Sequence, residues 1–128
     1  MNVLIRDKMK RERLPGREVQ KALGKDAAQI SKKMTMGFVR YSAESGPMEP
    51  HNHAEEVLYI LSSRGGWVRF GQGRDSLGEK VSLEAGMTVH FPELEWHVFG
   101  YDEGGAIEAI FFYGQVDNIR PEEIAAGR

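Results

Sequence analysis

Runs of β-branched and aromatic residues recur along this chain at close intervals, each closed by a turn former, and that spacing constrains the fold more than any other feature. Fifteen glycines and five prolines supply the punctuation. The strand candidates are Met36–Tyr41, Glu49–His51, Glu56–Leu61, Trp67–Phe70, Lys80–Leu83, Thr88–Phe91, His97–Phe99 and Ile107–Tyr113. Turn formers separate them at Glu44-Ser45-Gly46-Pro47, Ser62 to Gly66, Gly71 to Gly78, Glu84-Ala85-Gly86 and Asp102 to Gly105. Short strands at this density predict an all-β sandwich or barrel. Two segments depart from the pattern. Arg17–Leu23 carries Val19, Ala22 and Leu23 at helical spacing, with Gly24 as a C-cap, and predicts a short helix. Pro121–Ala126 opens on proline followed by two acidic residues and predicts a terminal helical turn.

At 128 residues the chain fits one domain, with an arm over residues 1–33 and a barrel over about 34–116. It has no cysteine, which excludes thiolate zinc and iron–sulfur sites. The first residues, MNVLIRDKMKRER, lack the apolar stretch of a signal peptide. No run approaches the ~20 apolar residues that span a bilayer, so the expected location is the cytoplasm, away from membranes. Charge is uneven: residues 1–33 carry ten Lys/Arg against four Asp/Glu, the remainder seven against fifteen. A basic arm on an acidic body is one way to hold nucleic acid. No aromatic residues interleave the basic ones to stack bases, so a solvated or dimer-bridging segment is the simpler reading and nucleic acid is not an expected partner.

All four histidines, at 51, 53, 90 and 97, lie in two patches. The first is Glu49-Pro50-His51-Asn52-His53-Ala54-Glu55-Glu56 and the apolar run after it; the second is Gly86 to His97. Strand alternation puts residues 49, 51 and 53 on one face. Same-face Cα atoms are about 6.6 Å apart while metal bonds are only ~2.0–2.2 Å, so two such neighbours can share an ion and three cannot. A further ligand must come from a returning strand. If Glu49 and His51 are the pair, Asn52-His53-Ala54-Glu55 forms a four-residue turn that brings Glu56 back opposite His51. If His51 and His53 are the pair, the turn shrinks to Ala54-Glu55, a poor choice for the positive φ of a two-residue hairpin. The first arrangement is physically easier. Glu56, Leu58 and Ile60 then share the inward face, and a carboxylate there is costly unless a cation meets it.

These patches resemble the two motifs of the cupin family and, with their spacer, cover about residues 46–101. The first motif runs Gly, a spacer, His-x-His, three or four residues, Glu, six residues, Gly. Glu56 takes the glutamate, His51 stands four residues before it, Glu49 then replaces the first histidine, and Ser63 replaces the glycine. The other alignment keeps His51-x-His53 and deletes two turn residues. In the second motif Gly86 and Pro92 are correctly spaced and His97 falls on the ligand histidine, while Leu94 and Tyr101 replace the usual Gly and Asn. The resemblance implies a double-stranded β-helix (jelly-roll) barrel, a homodimer, and a metal near one mouth. The ligand set it implies is Glu49, His51, Glu56 and His97, or alternatively His51, His53, Glu56 and His97.

A sulfur-free set of imidazoles and carboxylates suits manganese, iron, nickel or zinc. The leading expectation is a metal-dependent enzyme that chelates adjacent oxygens of a small polar metabolite, a carbohydrate or carboxylate. Isomerase, lyase, oxygenase and hydrolase chemistry all fit. The alternative is a small-molecule-binding or sensor module whose metal, if any, is structural. His90 reads as a hydrogen-bonded structural histidine rather than a proton shuttle. Trp67, Trp96 and the phenylalanines read as core and dimer contact. Arg40 and Arg69 lie mid-strand and could clamp a carboxylate, though solvent-facing placement is simpler. Leu14-Pro15-Gly16-Arg17 reads as a turn; small cupins carry a similar Pro-Gly-Arg, with no chemistry attached to it.

Overall fold

The computed structural model describes residues 1–126 and is built almost entirely from antiparallel strands. Two are very long: β5 (Glu56–Gly71) and β8 (Trp96–Tyr113), which pair along most of their length. Around them lie β1 (Glu12–Leu14), β2 (Arg17–Gly24), β3 (Gln29–Ile30), β4 (Thr35–Ser42), β6 (Val81–Ser82) and β7 (Thr88–Phe91). The order is β1-β2-β4-β8-β5-β6, with β3 added to β2 and β7 to β5. A single helical turn, α1 (Pro121–Ala126), ends the described chain where proline and two acids predicted it. Among the described residues no helix is long and apolar enough to cross a membrane.

Alternation builds the core. Leu58 and Ile60 of β5, Ile107 and Ala109 of β8, and Val39 and Tyr41 of β4 point inward and are almost wholly buried, with Phe91, Phe99 and Phe111 filling the space between. Glu56 continues the Leu58/Ile60 face, as its parity predicted. Phe70 and Phe112, by contrast, stand exposed on outer faces.

Two segments read as turns are parts of strands. Ser62 to Gly66 lies inside β5 and Asp102 to Gly105 inside β8, where the ladder jumps from the pair Arg64–Ala106 to Gly66–Tyr101. Residues 102–105 thus stand against Gly65 alone. Gly65 takes φ +64°, conformational freedom spent on a bulge rather than a reversal. The strands bend there without leaving the sheet.

The helix expected over Arg17–Leu23 is instead strand β2, paired with β1 and β4. Val19 faces the interior, but Gln20 and Ala22 are buried on the other face. The N-terminal segment covers that face: the Gln20 amide donates to the carbonyls of Arg6 (2.6 Å) and Met9 (3.3 Å). Residues 1–33 therefore pack against the barrel along much of their length. Several of their cations meet the acidic body, with Arg6 on Glu108 (2.7 Å), Arg13 on Glu44 (3.4 Å) and Lys25 on Asp117 (3.2 Å).

Candidate metal centre

The site is assembled by one short-range and one long-range constraint. His51 and His97 form an antiparallel bridge, exchanging backbone bonds of 3.0 and 2.9 Å. Directly opposed residues of an antiparallel pair project to the same face, so both rings enter the barrel together. His53, two residues on, follows His51 by alternation. Its position is held by neighbours on both sides: Leu94 N–H donates to the His53 carbonyl (2.8 Å) and Ala54 N–H to that of Ile119 (2.8 Å). One ligating atom from each of the three rings lies within 4.8 Å of the other two.

Each ring is oriented by a backbone carbonyl at Nδ1: Glu49 for His51 (3.0 Å), Ala54 for His53 (2.7 Å) and Glu95 for His97 (2.8 Å). A carbonyl only accepts, so Nδ1 carries the hydrogen and Nε2 keeps its lone pair. The Nε2 atoms of His53 and His97 are 3.1 Å apart, and the ring of Phe91 stacks on His97 at 3.8 Å between centroids. Burial pushes the imidazolium pKa down to about 4 for His53 and about 3 for His97, the other histidines adding to the latter; burial lowers His51 as well. At neutral pH all three are neutral bases.

Glu56 borders the cluster, its Oε1 3.4 Å from Nε2 of His53. Burial raises its carboxyl pKa to about 7, opposed by a hydrogen bond from the Tyr113 hydroxyl and by the charge of Arg17. Burial and Glu56 in turn hold the Tyr113 phenol well above its usual range, so Tyr113 stays a donor.

Of the two ligand sets, the structure brings together His51, His53 and His97 with Glu56 at their edge. Glu49 is not among them: its side chain is exposed and ion-paired to Arg74 at 2.8 Å. Nor does Glu56 return opposite His51; it pairs with Phe91 on one side and Tyr113 on the other, because His51 is taken by His97. His90 lies outside the cluster, exposed and 2.6 Å from Glu55. Arg40 pairs with Glu108 (3.5 Å), and Arg69 donates to the carbonyls of Gly78 and Leu77. Leu94, standing where the family pattern has glycine, adopts φ +66°.

The donors suit a cation. Three nitrogens about 2.1 Å from one ion sit about 3.0–3.5 Å apart in ordinary geometries, the range of the His53–His97 and His53–Glu56 separations. Three neutral imidazoles and a buried carboxyl with no Lys or Arg within 4.0 Å among the described residues make the electrostatic case. They open on a cavity of about 440 Å³, lined by His51, His53, Glu56, Tyr41, Tyr113 and Arg17 among others.

No protein-family model matches the sequence, and no curated protein matches it. Solved structures do. The polyketide cyclase RemF from Streptomyces resistomycificus is 19% identical, with a TM-score of 0.67 over 88% of this chain and 78% of that one. The iron(II) form of HppE is 11% identical, with a TM-score of 0.63 over 88% of this chain and 59% of that one. A cupin-like protein from Thermotoga maritima is 18% identical, with a TM-score of 0.57 over 78% of this chain and 69% of that one. At such identities the likeness speaks for the fold alone: this chain is a small β-barrel that shares its fold with these structures, the cupin-like protein among them.

Proposed function

We propose that this protein is a metal-dependent cupin in which His51, His53 and His97 hold a divalent ion, with Glu56 as a fourth ligand, and which acts on a small polar metabolite admitted by the adjoining cavity. The observation that carries the reading is the convergence of three imidazoles whose Nδ1 atoms are all tied to backbone carbonyls, leaving three Nε2 lone pairs for one partner. Carbonyl anchoring of this kind is how ligating histidines are usually oriented. The same fold is found in HppE, whose structure is of its iron(II) form, and that supports the reading.

A sulfur-free set of this composition suits manganese, iron, nickel or zinc. The ion would supply Lewis-acid polarisation of a bound oxygen. The chain supplies the rest. Phe91 covers His97 with apolar surface, Phe111 lines the adjoining cavity, Tyr113 fixes one carboxylate orientation of Glu56 by hydrogen bonding, and the cavity gives a small molecule access. The test is elemental analysis of the purified protein beside the His97→Ala variant. The expected result is a stoichiometric transition metal that the variant lacks; equal metal content in both would refute the site.

A further inference from the structure

Residues 14–17 make a two-residue hairpin in which Leu14 pairs with Arg17 across Pro15 and Gly16. Proline followed by a glycine at φ +83° is the chemistry of a type II turn. The turn is also clamped: Gly16 N–H donates to the Ser45 carbonyl at 3.0 Å, and a Cβ on Gly16 would come within 2.8 Å of the Met48 Cα. The hairpin tip is thus pressed on the segment that leads into His51. Arg17 is the first residue of β2 beyond it and shares the cavity-lining face with Val19 and Lys21.

Most arginines of this chain have a carboxylate partner: Arg6, Arg11, Arg13, Arg40, Arg74 and Arg120 all do. Arg64 and Arg69 bond carbonyls away from the cavity. Among the described residues, Arg17 alone lines the cavity without a carboxylate within 4.0 Å of its guanidinium, its one hydrogen bond going to the Pro15 carbonyl at 3.1 Å. Its charge nevertheless reaches the site, acting on His51, His53, Glu56, Tyr41 and Tyr113 together.

We propose that Arg17 anchors a carboxylate of the small molecule that this cavity accepts, holding it so that the molecule's remaining oxygens face the cluster of His51, His53 and His97. The inference rests on the metal-site reading and names the substrate class for it: a small organic acid with a second oxygen donor. A planar guanidinium fork matches a carboxylate in two parallel bonds, and the cavity of about 440 Å³ has ample room for a small acid. One uncompensated guanidinium beside an acidic Glu56 favours a singly charged group. A phosphate dianion would find its next unpaired cation only at Lys21, four residues along the strand.

The experiment is calorimetric titration of Mn(II)-loaded protein with malonate and, separately, inorganic phosphate, for wild type, Arg17→Gln and Arg17→Lys. Malonate is expected to bind wild type and to weaken about 10- to 100-fold in Arg17→Gln, the range for losing a charge-assisted bond. Arg17→Lys should recover part of that loss, which a misfolded variant would not. Mn(II) affinity should be undiminished in both variants. Malonate affinity indifferent to Arg17→Gln overturns the anchor while leaving the metal site standing. Phosphate binding tighter than malonate overturns the carboxylate. Failure of wild type to take up Mn(II) overturns the site, and the anchor with it.

Discussion

Nε2 of His53 faces Nε2 of His97 across 3.1 Å, and neither ring can turn its other nitrogen inward without giving up a backbone carbonyl. Two lone pairs at that distance repel unless something positive lies between them. A proton is a poor candidate at neutral pH, because burial has lowered both imidazolium pKa values far below it, to about 4 and about 3. A metal ion satisfies both nitrogens and the third ring at once.

Replacing Glu49 and His53 by alanine should have opposite consequences. Glu49 spends its carboxylate on Arg74 at the surface, so Glu49→Ala should keep full metal loading and lose no more than a surface ion pair is worth, about 0–1 kcal/mol of stability. His53→Ala should weaken Mn(II) binding by at least about 10- to 100-fold, the range already seen when only an outer hydrogen-bond partner of a ligand is lost. Metal titration followed by calorimetry decides between them. A Glu49→Ala variant that cannot hold metal would reinstate the acidic ligand set.

The pH behaviour of the metal-free protein should carry the mark of Glu56. Its folded-state pKa is raised from 4.5 to about 7, chiefly by burial. A raised carboxyl pKa means that the fold prefers the protonated acid. The associated stability is complete below about pH 4.5 and is lost as pH climbs through about 7. The cluster histidines, whose pKa values burial lowers, make both proteins gain stability as pH rises toward about 6.5, so Glu56 shows in the difference. Metal-free wild type should lose stability relative to Glu56→Gln between about pH 5 and pH 8 in thermal melts. Mn(II) uptake should move the other way and improve with rising pH, since the proton must leave before the carboxylate can ligate. Parallel pH dependences in wild type and Glu56→Gln would count against a buried, titrating Glu56.

Leu94 occupies the left-handed region at φ +66° in a turn closed by a bond from Glu95 N–H to the Pro92 carbonyl at 3.1 Å. A residue with a Cβ there costs about 1–2 kcal/mol, and glycine avoids that at an entropic cost of about 0.5–1. Leu94→Gly should thus stabilise the protein by up to about 1 kcal/mol, whereas Leu94→Val, branched at Cβ, should destabilise it by about 1–2 kcal/mol. Urea denaturation of the three proteins reads both effects. Loss of stability in the glycine variant would show that the half-buried leucine side chain matters more than its backbone.

The inward row Glu56, Leu58, Ile60 was legible because only one face of that stretch is buried, so alternation survives in the sequence. β2 was not legible, for the opposite reason. Both its faces are covered, one by the cavity wall and one by the N-terminal segment over Gln20 and Ala22, and double burial erases period two. What remained of Val19, Ala22 and Leu23 fitted a helix by accident of spacing. The glycine-rich stretches inside β5 and β8 misled similarly, since a bulge and a reversal need the same positive φ. Near the site, parity limited residues 49, 51 and 53 to two neighbours that could share an ion, but it could not choose the pair. That choice is made by the bridge from His51 to His97, a contact between residues far apart in the chain. Arg17 left only a turn motif in the sequence; its lack of a carboxylate partner exists only once the other acids have found theirs.

β8 begins beside His97 and ends at Tyr113, yet the ring of His53 lies 4.7 Å from the first and 5.3 Å from the second. A strand of this length coils so far that its two extremities return to the same neighbourhood, like a belt brought round to its buckle. An ion gripped by His97 and His53 would fasten that belt from outside the hydrogen-bond ladder. Stripping the ion should then loosen the two ends of β8 near the cluster while its middle, where Ile107 and Ala109 are wholly buried, stays shut. Amide exchange would show the contrast as early opening around residues 97 and 113, with Ile107 and Ala109 among the last to yield.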